Sequence, residues 1–190
     1  MIHENYIKKD AGKYYGEQEI MKIAVITRHA ITNYGSLLQA LATQVTIEKL
    51  GYECEIVNYI RKDESYKSHE KTLLKRKTKW NRNPIKKIVY LLLRQPESCL
   101  AGKKFECEQN KYLKLSKLYV SQDELMNDRP YADVYMTGSD QVWGPTEDGS
   151  YDSSYCLAFV PDSVKKIAYA ASFGHTDMTE ELCSYYKKWL

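Results

Sequence analysis

Phenylalanine is scarce in this 190-residue chain, with 3 copies against 17 tyrosines. The tyrosines gather at no one spacing, which suits half-buried amphipathic rings better than a single stacking surface for sugars. Long apolar runs are missing too. The longest is Ile88 to Leu93, far short of the roughly 20 residues a membrane span requires. The opening MIHENYIKKD has no apolar segment of the kind that directs export. The five cysteines (Cys54, Cys99, Cys107, Cys156 and Cys183) never fall in a CxxC pair, and none of the four histidines stands beside one in sequence. That excludes a disulfide framework and offers no metal-ligand spacing. Reduced, buried thiols in the cytoplasm are the expectation, with no metal and no cofactor.

What is present is the composition of a globular protein: 43% hydrophobic and 28% charged residues. The net charge of +3 is unevenly placed. Arg61 to Lys87 holds eleven Lys/Arg against three Asp/Glu, or +8, leaving about −5 for the rest. Such a run suits anionic lipid headgroups, an acidic polysaccharide or nucleic acid, and equally a solvated helix. No nucleic-acid motif accompanies it and only Tyr66 and Trp80 offer stacking rings, so nucleic acid is not expected as a partner.

Residues 1–20 are polar and without periodicity, an appendage to a domain running from 21 to 190. Lys22 to Arg28 (KIAVITR) reads as a buried parallel strand. Ser36 to Leu50 reads as a helix with Leu37, Leu38, Leu41, Val45 and Leu50 near one face, stopped by Gly51. Glu53 to Tyr59 is the second strand, so the segment is a βαβ unit. A basic helical insertion follows, over about 61–115. Within it Ile85 to Arg94 is helical, Pro96 breaks the pattern, and Ser98 to Leu115 resumes it. Ser121 and Glu124 stand in capping-box register. Ala132 to Thr137 and Lys166 to Ser172 are two more strands. Thr179 to Leu190 is a helix that ends on Trp189-Leu190 without a cap, as a chain stopping inside an element would.

Three strands thus end in polar, glycine-bearing turns: His29 to Gly35, Gly138 to Gly144, and Ser172 to His175. Ligands of open parallel sheets bind outside the carboxyl ends of the strands, so the three turns converge on one rim. TNYGS at a helix start suits a phosphate or carboxylate, or is simply a start capped by Asn33 or Ser36. Gln39 lies one turn in, as a further ligand group or an ordinary helix residue. His29 and His175 fall at strand ends, where an imidazole can serve acid–base chemistry or structure alone. Trp143 either closes the cleft floor or offers a ring to a sugar.

The blocks NYGSLLQALATQ, LGYECEIVNY, ADVYMTGSDQVWG and KKIAYAASFG, in this order and at these separations, resemble the polysaccharide pyruvyl transferase family. The resemblance spans Lys22 to about His175. It implies an α/β fold, a Rossmann-like parallel sheet with flanking helices, similar to one half of a GT-B-type two-domain enzyme. It also implies transfer of a pyruvyl group from phosphoenolpyruvate to a glycan or lipid-linked sugar acceptor, forming a ketal on a surface polysaccharide. Matched residue by residue, it assigns substrate binding to Asn33, Tyr34, Gly35, Ser36 and Gln39 in the first turn. It assigns the same role to Gly138, Ser139, Asp140, Gln141 and Trp143 in the second, and to Ser172, Phe173 and Gly174 in the third. Family proteins are about twice this length, and their catalytic acid and phosphoenolpyruvate-gripping cations lie largely in a second half. The chain therefore reads as a truncated N-terminal half that does not turn over alone. Work of this kind belongs in the cytoplasm at the inner face of the membrane, where residues 61–87 would meet anionic lipid. A non-catalytic sugar-binding module, and a glycosyltransferase-like enzyme using a nucleotide sugar, would share the architecture.

Overall fold

A computed structural model describes residues 20–77, 82–146 and 149–190. The expected appendage, up to residue 19, lies outside the described residues, as does the segment 78–81 of the basic insertion. Four parallel strands form one sheet in the order β2-β1-β3-β4: β1 (Lys22–Ile26), β2 (Glu53–Ile56), β3 (Val134–Asp140) and β4 (Lys165–Ala171). Helices flank the sheet, and the fold is Rossmann-like α/β. Because every pairing is parallel, all four carboxyl ends lie along one edge.

The aliphatic run of β1 divides between two faces, since alternate side chains leave a strand on opposite sides. Ile23 and Val25, with Val134 and Met136 of β3, meet Leu37, Ala40 and Ile47 of helix α1 (Tyr34–Lys49). Ala24 and Ile26, with Tyr135, meet Val57, Tyr119, Leu125, Tyr155 and Phe159 on the other side. Both faces of the central strands are covered, which is why β1 and β3 read as continuous apolar runs. By contrast β4 is an edge whose residues are largely exposed.

Asn33 caps α1, its side chain accepting from the Gly35 amide at 2.8 Å. Gly51 follows the end with φ +88°, as the sequence predicts. The buried stripe of α1 differs from expectation: it runs through Leu37, Ala40, Gln44 and Ile47, while Leu38 and Leu50 face solvent. Counting leucines alone misplaced it, because small and polar residues can line a face that packs closely on a sheet. Strand β2 is shorter than expected and ends at Ile56, after which the chain keeps only an isolated bridge from Tyr59 to Tyr119. Strand β3 runs longer, through Gly138-Ser139-Asp140.

The basic insertion forms a hairpin of α2 (Tyr66–Arg76) against α3 (Pro84–Tyr112). Pro96 does not break α3, which is helical on both sides of it. A proline forfeits one backbone hydrogen bond, and a helix of 29 residues with tertiary support absorbs that loss. Helix α4 (Gln122–Asp128) starts at Ser121, whose hydroxyl accepts from the Glu124 amide at 3.3 Å. The Glu124 carboxylate accepts in turn from the Val120 amide at 2.7 Å, one residue before the cap. Helix α5 (Glu180–Tyr186) is capped by Thr179. Among the thiols, Cys54 and Cys156 are buried as expected, but Cys107 is exposed on α3.

Candidate functional site

The β1–α1 turn begins at Arg28, directly past the strand end. Its guanidinium crosses to the β3 turn, donating from Nη2 to the Gly144 carbonyl at 2.6 Å and from Nη1 to the Pro145 carbonyl at 2.9 Å. The same group stacks over the Tyr155 ring at 5.5 Å. From the first turn of α1, the Ser36 hydroxyl donates to Asp140 Oδ2 at 3.3 Å. Two turns further, the Thr43 and Ser139 hydroxyls lie 3.3 Å apart in the interior. Thus the first turn and the β3 turn are tied twice over, by a cation and by hydroxyls.

The β3 and β4 turns are tied more closely still. The Ser172 amide donates to the Asp140 carbonyl at 3.0 Å, and the Trp143 amide donates to the Ser172 carbonyl at 3.1 Å. Gly138 has φ +113°, and a Cβ there would stand 2.0 Å from the Tyr169 carbonyl oxygen of β4. Only glycine fits that approach. At Gly174 (φ +74°) a Cβ would meet Gln141 Oε1 at 2.6 Å. The sequence expectation that three turns far apart in the chain share one rim therefore holds as geometry.

Within that rim the thirteen residues singled out by the sequence divide by exposure. Asn33, Tyr34, Gly35, Gln141, Ser172 and Gly174 are open to solvent. Ser36, Gln39, Asp140, Trp143 and Phe173 are half-buried, while Gly138 and Ser139 are enclosed. Asn33 spends its side-chain oxygen on the α1 cap. The Trp143 indole donates to the Tyr155 carbonyl at 3.2 Å and packs on Phe173 at 5.3 Å, with Tyr186 on the far side of Phe173 at 4.9 Å. This favours the packing role for Trp143. The first turn of α1 has no acidic residue, so its N-terminal dipole is not neutralised from within.

The two histidines part company. His29 is fully buried, with Nδ1 3.2 Å from the Thr27 carbonyl and Nε2 3.2 Å from the Asn58 side-chain oxygen. Burial holds its pKa below the ordinary value against those two contacts. Enclosed on all sides, with its backbone carbonyl accepting from the Gln109 side-chain amide, His29 sits as a structural strut, the second of the two roles its position allowed. His175 is exposed in the third turn, its Nδ1 2.8 Å from the Asp177 carbonyl.

Sequence reasoning missed a charged cluster just behind the rim. Asp152 Oδ2 accepts from Tyr59 at 2.7 Å and from Arg61 Nη1 at 3.0 Å, while Arg61 Nε reaches Asp63 at 2.9 Å. Burial alone would raise the Asp152 carboxyl, but hydrogen bonds from Tyr59, the Ser154 amide and Arg61 hold it below its ordinary value. Glu64 lies deeper, 6% exposed, with Oε2 3.4 Å from the Tyr155 hydroxyl and Oε1 without a hydrogen-bond partner. Burial pushes its pKa up to about 7 in spite of the nearby Arg28. No spacing rule announces this cluster; the one available signal was Arg28 itself, a cation at a strand's carboxyl end.

A cavity of about 440 Å³ opens between the first turn and the hairpin, walled by Ala30, Thr32, Tyr66, Phe105, Gln109 and Leu118. Among the described residues no group of three or more His, Cys, Asp or Glu is placed to hold a metal ion. No described helix is long and apolar enough to cross a membrane.

Residues 33–190 match the family model described as polysaccharide pyruvyl transferase. No curated protein and no solved structure matches the chain.

Proposed function

The chain belongs to the polysaccharide pyruvyl transferase family, and from that premise we propose that its rim binds phosphoenolpyruvate and a sugar hydroxyl pair for transfer of the pyruvyl group. In this reaction a proton joins the methylene carbon of phosphoenolpyruvate and a sugar hydroxyl adds to the adjacent carbon. The carbon–oxygen bond to phosphate breaks, and a second hydroxyl closes the ketal. The acceptor is a glycan or its lipid-linked precursor, met in the cytoplasm at the inner face of the membrane.

The observation that supports this reading is the joining of the three turns, with Ser36, Asp140, Gln141 and Ser172 at one sheet edge. The free amides of the α1 N-terminus suit the phosphate or carboxylate of the donor. Asp140, Gln141 and the exposed Ser172 offer acceptors and donors for sugar hydroxyls. The half-buried Trp143–Phe173 pair keeps the floor of the rim rigid.

Thermal unfolding with candidate ligands tests the proposal. Phosphoenolpyruvate at about a hundredfold excess over its Kd adds roughly 2.7 kcal/mol of stability, and so raises Tm by several degrees. Asp140→Ala lessens that shift for a sugar acceptor. Stabilisation by uridine diphosphate with none by phosphoenolpyruvate would overturn the proposal in favour of a nucleotide-sugar enzyme.

A further inference from the structure

Helix α3 carries two opposite faces. Tyr90, Gly102, Phe105 and Gln109 are buried against α2 and the sheet body. At 100° per residue, Ile85, Ile88, Val89, Leu92, Leu93 and Leu100 fall on one arc turned away from that face. They are 72%, 58%, 43%, 70%, 70% and 63% exposed. This aliphatic stripe runs about 22 Å along the helix. Its first turns, from Pro84 to Val89, are exposed all round.

Basic side chains frame the stripe. At the same 100° per residue Lys103 falls within the arc and Lys86 and Lys104 at its edge, all three exposed, and Lys67, Lys71 and Lys75 stand exposed at one-turn intervals on α2. A hydrocarbon face edged by exposed lysines is complementary to one environment above others. An anionic bilayer surface supplies acyl chain to the stripe and negative headgroups to the lysines at the same depth. Self-association through this face would bring two like-charged patches together, which disfavours a second copy as the occupant. The helix is too polar to cross a membrane, so it lies in the interface plane.

We propose that α3 seats the protein on anionic membranes by burying the Ile85–Leu100 stripe among the headgroups, with the lysines of α2 and α3 as its electrostatic clamp. The inference rests on the hairpin surface alone, so its failure would leave the pyruvyl-transfer reading standing, and the reverse.

Vesicle flotation of the 190-residue chain tests it. The chain floats with vesicles mixing phosphatidylglycerol and phosphatidylcholine in equal parts, and binds pure phosphatidylcholine about tenfold or more weakly. Leu92→Glu combined with Leu93→Glu lowers binding to the mixed vesicles by about tenfold or more, with the far-UV circular dichroism and melting curve unchanged. Lys86→Glu with Lys104→Glu does the same. Absence of binding to either vesicle, equal binding to both, or indifference to the leucine variants would overturn the proposal. So would light scattering that finds a dimer which the leucine variants convert to a monomer.

Discussion

Strand β3 and the first half of α3 both carry runs of apolar side chains, yet their surroundings differ completely. From Val134 to Ser139 every residue of β3 is buried, whereas Ile85, Ile88, Val89, Leu92 and Leu93 stand in solvent. The strand is enclosed because neighbours pair with it on both sides and side chains cover both its faces. The helix touches the body through one narrow face only. Apolar content therefore specifies a need for burial without saying what meets it: the chain itself in β3, and in α3 something outside the chain.

Gly138 is where that contrast breaks hardest. Gly138→Ala drives a Cβ to within 2.0 Å of the Tyr169 carbonyl at a backbone φ of +113°, so β3 and β4 must separate. The expected loss is about 4 kcal/mol or more, among the largest a single methyl can cause. Leu93→Ala on the open face of α3 shifts stability by no more than about 0.5 kcal/mol. Urea unfolding of the two variants checks both values. A Gly138→Ala protein as stable as Leu93→Ala would show that the β3–β4 contact is not closed.

Glu64 separates the buried and open regions by pH. Its folded-state pKa of about 7 lies above the ordinary value of 4.5, so the folded protein holds the proton more tightly than the unfolded chain. The stabilisation is complete below about pH 4.5 and is lost as pH rises through 7, for a total of about 3 kcal/mol. His29 acts in the opposite sense, since its lowered pKa removes stability as pH falls below 6.5. Comparing the chain with Glu64→Gln isolates the carboxyl: the variant lacks the decline between pH 4.5 and 7. Parallel profiles for the two proteins would mean Glu64 is hydrated.

Tyr90 probes the contact by which α2 and α3 hold each other. Its hydroxyl donates to the buried Glu70 carboxylate at 2.7 Å and meets Lys77 Nζ at 3.1 Å. Tyr90→Phe costs about 1–2 kcal/mol by withdrawing a donor from a buried carboxylate. Hydrogen exchange then speeds up in α2 and the start of α3 and stays unchanged in β1 and β3, because the hairpin opens as its own unit. Uniform acceleration across the sheet would erase the distinction between the two regions.

Much of this division was legible in the residues. KIAVITR and ADVYMT are short, β-branched and unalternating because both their faces are covered, and polar turns at their ends put the rim in one place. The cap at Asn33 and the stop at Gly51 follow from local chemistry and needed no tertiary context. Two things were not local. Pro96 stays helical since flanking turns and packing outweigh one lost hydrogen bond. The Arg61–Asp152–Tyr59 and Glu64–Tyr155 contacts join residues some ninety positions apart, which no spacing rule encodes. The rim could be located from the sequence for the converse reason: a parallel sheet brings its turns together whatever lies between them.

A smaller loss than at Gly138, Glu64 or Tyr90 falls on the seam between rim and body. Asn33 closes the first turn of α1 through the Gly35 amide, and Ser36 three residues later binds Asp140 across the rim. Asn33→Ala removes one cap and costs about 1 kcal/mol. Asn33→Asp keeps the acceptor and adds a charge that the helix dipole favours, recovering most of that loss. The same charge would face an anionic donor at the rim. Asn33→Asp therefore restores Tm while weakening stabilisation by phosphoenolpyruvate, and Asn33→Ala lowers Tm with the ligand shift kept. If both substitutions left the ligand shift untouched, the donor's negative groups would lie away from the α1 terminus, nearer the β4 turn.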